Sequence, residues 1–139
     1  MLARARSRLA RLRPRQAWRA VARGAVLVDI RPEFQRRADG EVPGAIVIER
    51  NHLEWRLHPS SRARIPEAAR DGVHWIVMCD EGYASSLAAA NLKTIGLDAT
   101  DVVGGFQAWR AERLPVSRRV PPTPPRLPSS VAGRRRRRA

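Results

Sequence analysis

A single cysteine, Cys79, and a single lysine, Lys93, stand in a chain of 139 residues. One cysteine excludes an internal disulfide and any multi-cysteine zinc site, which leaves the thiol as a small buried hydrophobe or as a reactive group. His52, His58 and His74 are not at ligand spacing with any acid or with Cys79, so neither a metal nor another cofactor is expected. No apolar run approaches the roughly 18 residues that span a membrane. No segment repeats at a period of roughly 20 to 50 residues, which removes solenoids and propellers. The start, Met-Leu-Ala-Arg-Ala-Arg-Ser-Arg, lacks the uninterrupted apolar stretch and small-residue cleavage site of a secretory signal. Its arginines also suit an organelle transit peptide, while a reduced, cytoplasmic setting is the default expectation.

Acids are absent from both ends. All 13 acidic residues lie between Asp29 and Glu112, where residues 24–116 hold 11 basic ones, and the other 16 of the 27 basic residues flank that stretch. A formal charge of +14 invites nucleic-acid binding, but the charge belongs to the ends and specific nucleic-acid recognition is not expected. With 43% hydrophobic residues, the middle has enough apolar surface for one soluble, compact domain and no membrane partner.

Residues 25–30, Ala-Val-Leu-Val-Asp-Ile, and 72–79, Gly-Val-His-Trp-Ile-Val-Met-Cys, are short, near-continuous apolar runs of the kind that strands buried on both faces require. Residues 45–48 and 99–103 are two more. Residues 16–24 place Ala17, Trp18, Val21 and Ala22 at helical spacing and stop at Gly24, and residues 85–95 supply a second helix closed by Gly96. Strands alternating with helices predict an α/β fold with a mostly parallel sheet. In such sheets ligands bind beyond the carboxyl ends of the strands, and Cys79 stands at one of those ends.

The segment Cys79-Asp80-Glu81-Gly82-Tyr83-Ala84-Ser85 runs from a buried strand into a helix through a short glycine-containing loop. Such a loop turns backbone N–H groups inward and, with the positive end of the helix dipole, favours a thiolate. Cys79 is therefore the candidate nucleophile.

Here the sequence resembles the rhodanese-like family, over residues 11–116. Val28-Asp29-Ile30-Arg31 is similar to the family's Asp-x-Arg strand end, and Gly40-Glu41-Val42-Pro43-Gly44-Ala45 to its Gly-His-Ile-Pro-Gly-Ala turn. Cys79-x-x-Gly82-x-x-Ser85 matches its active-site loop. Gly104-Gly105-Phe106-Gln107-Ala108-Trp109 with Leu114-Pro115-Val116 resembles its closing signature. The resemblance implies a small, mostly parallel five-stranded sheet flanked by helices on both faces. Residues 1–8 are then expected to be a disordered basic segment, 9–117 the rhodanese-like domain, and 118–139 a disordered tail rich in proline and arginine.

It also implies a sulfur carrier. Cys79 would hold sulfane sulfur as a persulfide in a loop formed by Asp80, Glu81, Gly82, Tyr83, Ala84 and Ser85. The donor is expected to be a small sulfane-sulfur compound or a persulfide-bearing protein, and the acceptor a thiol, cyanide or a protein. Phosphatases of this fold carry an arginine six places after the cysteine, where this chain has Ser85, so phosphatase activity is not expected. Two departures matter. Asp80 and Glu81 stand where many thiosulfate-using members place basic residues, and carboxylates disfavour a thiolate and repel a dianion, so poor use of thiosulfate is expected. Glu41 replaces the histidine of the family turn. A catalytically weak binding or regulatory module, its acidic loop facing a partner, is the alternative.

Other candidates have structural readings. Asp29 and Arg31 are expected to form an ion pair that fixes the turn near the site. Arg50, Asn51 and Arg56 are candidates for the pocket wall, while Leu53, Trp55 and Leu57 in the same stretch read equally as anchors of a one- or two-turn helix. Trp109 reads as core packing at the start of the last helix.

Overall fold

Apolar, β-branched stretches of the chain form four strands, β1 (Val26–Asp29), β2 (Ile46–Val47), β3 (His74–Met78) and β4 (Asp98–Asp101). They pair in the order β2-β1-β3-β4, all parallel. The structure, a computed structural model, describes residues 1–118. Of the expected tail, all but Arg118 lies outside the described residues. The helices are α1 (Leu2–Ser7), α2 (Pro14–Ala22), α3 (Glu33–Asp39), α4 (Leu53–Leu57), α5 (Ala84–Thr94) and α6 (Gly105–Ala111).

Strand alternation divides the core into two halves. Trp75 and Val77 of β3, and Cys79 just beyond it, point to one face with Leu53 and Leu57 of α4 and Ala88 and Leu92 of α5. Ile76 and Met78 point to the other, with Ala17 of α2 and Phe106 and Trp109 of α6. Each large side chain buried in this way contributes about 1.5–3 kcal/mol. Trp109 is buried as its sequence context implied, and its indole N–H donates to Pro115 O at 2.8 Å.

The sheet has four strands and not five. The expected fifth is reduced to a single parallel bridge between Leu12 and Val102. Leu12 N–H donates to Asp101 O at 3.0 Å and Val103 N–H to Leu12 O at 2.8 Å. Two residues later Pro14 has no N–H to extend the ladder and opens α2, so pairing stops there.

The basic start also differs from expectation. Residues 2–7 form α1, which packs along α5 with Ala5 buried, while Leu9 lies against the first half of the core. Charge repulsion among Arg4, Arg6 and Arg8 is offset because Arg6 and Arg8 donate to Ser86 Oγ and Thr94 Oγ1, each at 3.0 Å. Trp55, read as a core anchor, is 57% exposed and meets the His52 ring edge-on at 5.7 Å. Leu53 and Leu57, four residues apart, take the buried face of α4 and leave Trp55 on the other side.

Candidate active site

The carboxyl end of β3 delivers Cys79 to the point where the chain turns into α5. Gly82 makes that turn with φ +90°, and a side chain there would press on Gly104 N at 2.8 Å. Cys79 Sγ accepts hydrogen bonds from Gly82 N–H at 3.1 Å and Ser85 N–H at 3.3 Å. No side chain caps the N-terminus of the 11-residue α5, and the sulfur takes that place. Of the loop amides expected to cradle the sulfur, these two donate to Sγ. The Cys79 side chain is buried, and its thiol donates to Ser85 Oγ at 3.3 Å.

The far side of the loop rests on α6. Phe106 N–H donates to Cys79 O at 2.9 Å and Gln107 N–H to Asp80 O at 3.0 Å. Gly105 makes this approach possible: at φ +60°, a Cβ there would stand 2.5 Å from Cys79 O.

Behind Ser85 lies a polar cluster. Asp101, fully buried on β4, accepts from Ser85 Oγ and Ser86 Oγ, both at 2.8 Å on Oδ2. Arg11 grips the same carboxylate from Nε at 2.8 Å to Oδ1 and from Nη2 at 3.2 Å to Oδ2. Arg11 Nη2 and Arg6 Nη2 also donate to Gly82 O, at 3.1 and 2.8 Å. Arg6 lies over the Tyr83 ring at 5.6 Å.

In front of the sulfur is an open cavity of about 390 Å³, lined by Ile30, Arg31, Pro32, Gln35, Arg50, Cys79 and the loop residues Asp80, Glu81, Tyr83 and Ala84. It is large enough for a small molecule. Among the pocket-wall candidates, Arg50 lines it and pairs with Glu54 at 2.9 Å. Asn51 lies on an adjoining depression with Arg50, Glu49, Ile30 and Pro32. Arg56 is not at the cavity; it donates to Ala63 O at 2.8 Å, closing the segment that follows α4. Glu81 and Tyr83 are exposed, whereas Asp80 accepts from Gln107 Nε2 at 2.9 Å.

Asp29 and Arg31 form a buried pair, Nη2 to Oδ2 at 2.8 Å, with Arg31 Nη2 also donating to Gly40 O at 2.8 Å. The Arg31 guanidinium lies 3.8 Å from the Phe106 ring centroid, so the pair joins β1, the Gly40 turn and α6. Glu41, in place of the family histidine, pairs with Arg36 and bridges to Ser117 through its backbone.

Sequence reasoning missed Asp101, Arg11, Arg6, Ser86, Gln35 and Gln107. One signal for Asp101 was present: a carboxylate inside the apolar run 99–103 is rarely buried without a partner. Among the described residues no helix is long and apolar enough to cross a membrane.

These features define a parallel α/β domain that holds a cysteine in an amide-lined loop at the carboxyl end of its sheet. The sequence model of the rhodanese-like domain matches residues 13–112, and the chain belongs to that family. The chain is similar to a structure from Rhodopseudomonas palustris, described as a protein of unknown function and possible tyrosine phosphatase, with 31% identity over 84% of this chain and 90% of that one and a TM-score of 0.77. A rhodanese-related protein from Thermoplasma volcanium shares the fold at 22% identity, over 78% of this chain and 98% of that one, with a TM-score of 0.63. A thiosulfate sulfurtransferase from Pseudomonas aeruginosa does so at 19% identity, over 77% of this chain and 19% of that one, with a TM-score of 0.62. Among curated proteins the chain finds no match.

Proposed function

We propose that the protein is a rhodanese-type sulfurtransferase that carries sulfane sulfur as a persulfide on Cys79. The observation that carries this reading is the convergence of Gly82 N–H and Ser85 N–H on Sγ beside an open cavity. Fixed amide donors at a sulfur lower the free energy of its anionic forms, and thiolate and persulfide are both anions.

The Cys79 thiolate attacks the outer sulfur of a donor R–S–S⁻. A new S–S bond forms as the donor's S–S bond breaks, and R–S⁻ leaves with the electron pair. An acceptor thiolate or cyanide then attacks the outer sulfur of the Cys79 persulfide, and Cys79 departs as a thiolate. Because the chain has no second cysteine, the acceptor must be external. Small sulfane compounds or persulfide-bearing proteins suit the donor role, and Asp80 and Glu81 in the cavity lining weigh against thiosulfate.

Phosphoryl chemistry, raised by the description of the Rhodopseudomonas structure, fits this site poorly. Gripping a phosphate within the loop calls for a guanidinium carried by the loop itself. The position six residues after Cys79 is instead the buried Ser85, and the two arginines at the cavity, Arg31 and Arg50, are paired with Asp29 and Glu54. Arg6 and Arg11 are engaged with Gly82 O, Ser86 and Asp101 on the other side of the loop.

Incubation with sulfane donors followed by intact mass measurement tests the proposal. An adduct of about 32 Da that disappears in Cys79→Ser is expected. No adduct with inorganic polysulfide, glutathione persulfide or thiosulfate overturns it and leaves the acidic loop as a partner-binding surface.

A further inference from the structure

Ser85 Oγ has one hydrogen and two neighbours that compete for it. Asp101 is the partner of the Arg11 guanidinium and, as a carboxylate, offers only acceptors. The Ser85 hydroxyl hydrogen is therefore committed to Asp101 Oδ2 at 2.8 Å. What Ser85 presents to Cys79 Sγ, 3.3 Å away, is a lone pair. A lone pair matches a thiol S–H and opposes a thiolate.

We propose that Asp101 is a positioning residue that acts through Ser85 to restrain the Cys79 thiol. In the resting site Ser85 accepts the S–H hydrogen bond. When the thiol ionises, its proton leaves to water in the open cavity, and the Ser85 hydroxyl turns from Oδ2 to Sγ. One O–H···O bond is exchanged for one O–H···S⁻ bond, with no change of oxidation state. Ser86 completes the device. Of its two acceptors, Asp101 Oδ2 at 2.8 Å and Gly82 O at 3.2 Å, the carboxylate is the nearer and charged one, while Gly82 O is served by Arg6 and Arg11. The Ser86 hydroxyl therefore stays on Oδ2 and, with Arg11, keeps the buried carboxylate satisfied while Ser85 is turned away. The paired serines at positions 85 and 86 thus have distinct tasks, one switching and one holding.

This inference rests on Cys79 being the nucleophile, and its test needs no sulfur donor. The rate of Cys79 alkylation by iodoacetamide is measured as a function of pH in the full chain. The charged and titratable groups around Cys79 are Arg31 and Arg50 across the cavity, Asp80, Glu81 and Tyr83 of its own loop, and Arg6 and Arg11 behind that loop, and none is altered in the variants. In Asp101→Asn the amide oxygen keeps the shorter bond from Arg11 Nε, Arg11 Nη2 retains Gly82 O, and the NH2 at the Oδ2 position donates to both serines, which frees the Ser85 hydrogen for the sulfur. Alkylation near neutral pH is expected to rise roughly three- to tenfold, with the profile moved to lower pH. In Ser86→Ala, Ser85 is the one remaining hydroxyl on Oδ2 and is held more firmly, so alkylation slows roughly threefold. In Ser85→Ala the further change Asp101→Asn has no additional effect.

A merely structural role would move Asp101→Asn and Ser86→Ala in the same direction by loosening the loop. Slower or unchanged alkylation in a folded Asp101→Asn overturns the inference. If Asp101→Asn does not fold, faster or unchanged alkylation in Ser86→Ala overturns it alone. A persulfide adduct together with either result leaves the proposed activity standing and removes only the restraint. The expected alkylation pattern without any adduct does the reverse.

Discussion

Gln107 donates from Nε2 to Asp80 Oδ1 at 2.9 Å, and the same amide nitrogen reaches Asp39 Oδ2 at 2.9 Å. Asp80 is thereby tied to α6 and α3, while Glu81, one residue on, is exposed at the mouth of the cavity. The two acids next to Cys79 are thus unequal obstacles to an anionic donor.

Glu81→Gln is expected to raise kcat/KM for thiosulfate more than Asp80→Asn. One like charge near a surface site is worth about 1 kcal/mol or somewhat more, which corresponds to roughly fivefold. Cyanolysis at low and high salt checks this, because the gain at an exposed site shrinks as salt screens it. High thiosulfate turnover in the natural protein, unchanged in Asp80→Arg, would remove the electrostatic account.

Of the two arginines read from the sequence as pocket wall, Arg50 lines the cavity and Arg56 does not, while Arg31, which also lines it, is held in the buried pair with Asp29. Arg50→Ala should raise KM for anionic persulfide donors several-fold with little change in thermal stability, since exposed pairs such as Arg50 with Glu54 contribute about 0–1 kcal/mol. Arg56→Ala should leave KM unchanged. Steady-state kinetics with glutathione persulfide separates the two, and equal effects would contradict the placement of Arg50.

The Asp29–Arg31 pair is a matter of stability. Arg31→Ala leaves the fully buried Asp29 without its partner and removes the contact under Phe106, at a cost of about 3–5 kcal/mol. Chemical denaturation should show the midpoint falling sharply. A loss below about 1 kcal/mol would show that water replaces the guanidinium.

Burial alone would raise the pKa of Glu54, but hydrogen bonds from its own backbone N–H and from Arg50, the Arg50 charge and the Asn91 amide outweigh that and hold it below its ordinary value of 4.5. A carboxylate with a depressed folded value stabilises the fold above its unfolded value, and that stability is lost as pH falls through the folded one. Acid unfolding of Glu54→Gln should therefore lack part of the decline seen in the natural protein below about pH 4.5, whereas the two curves should run parallel above it.

Locally encoded features were legible in the sequence. The strand ending just before Cys79, the turn at Gly82 and the helix from Ala84 are contiguous, so their spacing states the geometry of the loop. The two donors on Sγ come from within six residues of it. What stayed hidden arrives from afar: Asp101 reaches Ser85 across 16 residues, Gln107 reaches Asp80 across 27, and Arg11 reaches Asp101 across 90. No local pattern reports such pairings. The arginines of the N-terminus illustrate the cause of error best. Repulsion among them argues for disorder when they are counted alone, yet Arg6 and Arg8 find acceptors on α5 that a linear reading does not supply.

Gly105 fits its bare backbone beneath the Cys79 carbonyl, and the amides after it hold Cys79 O and Asp80 O in place. During synthesis on the ribosome Cys79 leaves the exit tunnel before Gly105, Phe106 and Gln107 do, so a partly exposed chain presents the thiol without the parts that fix the loop around it. On the reading proposed above, the seat for sulfur is completed only when α6 has docked beneath the loop.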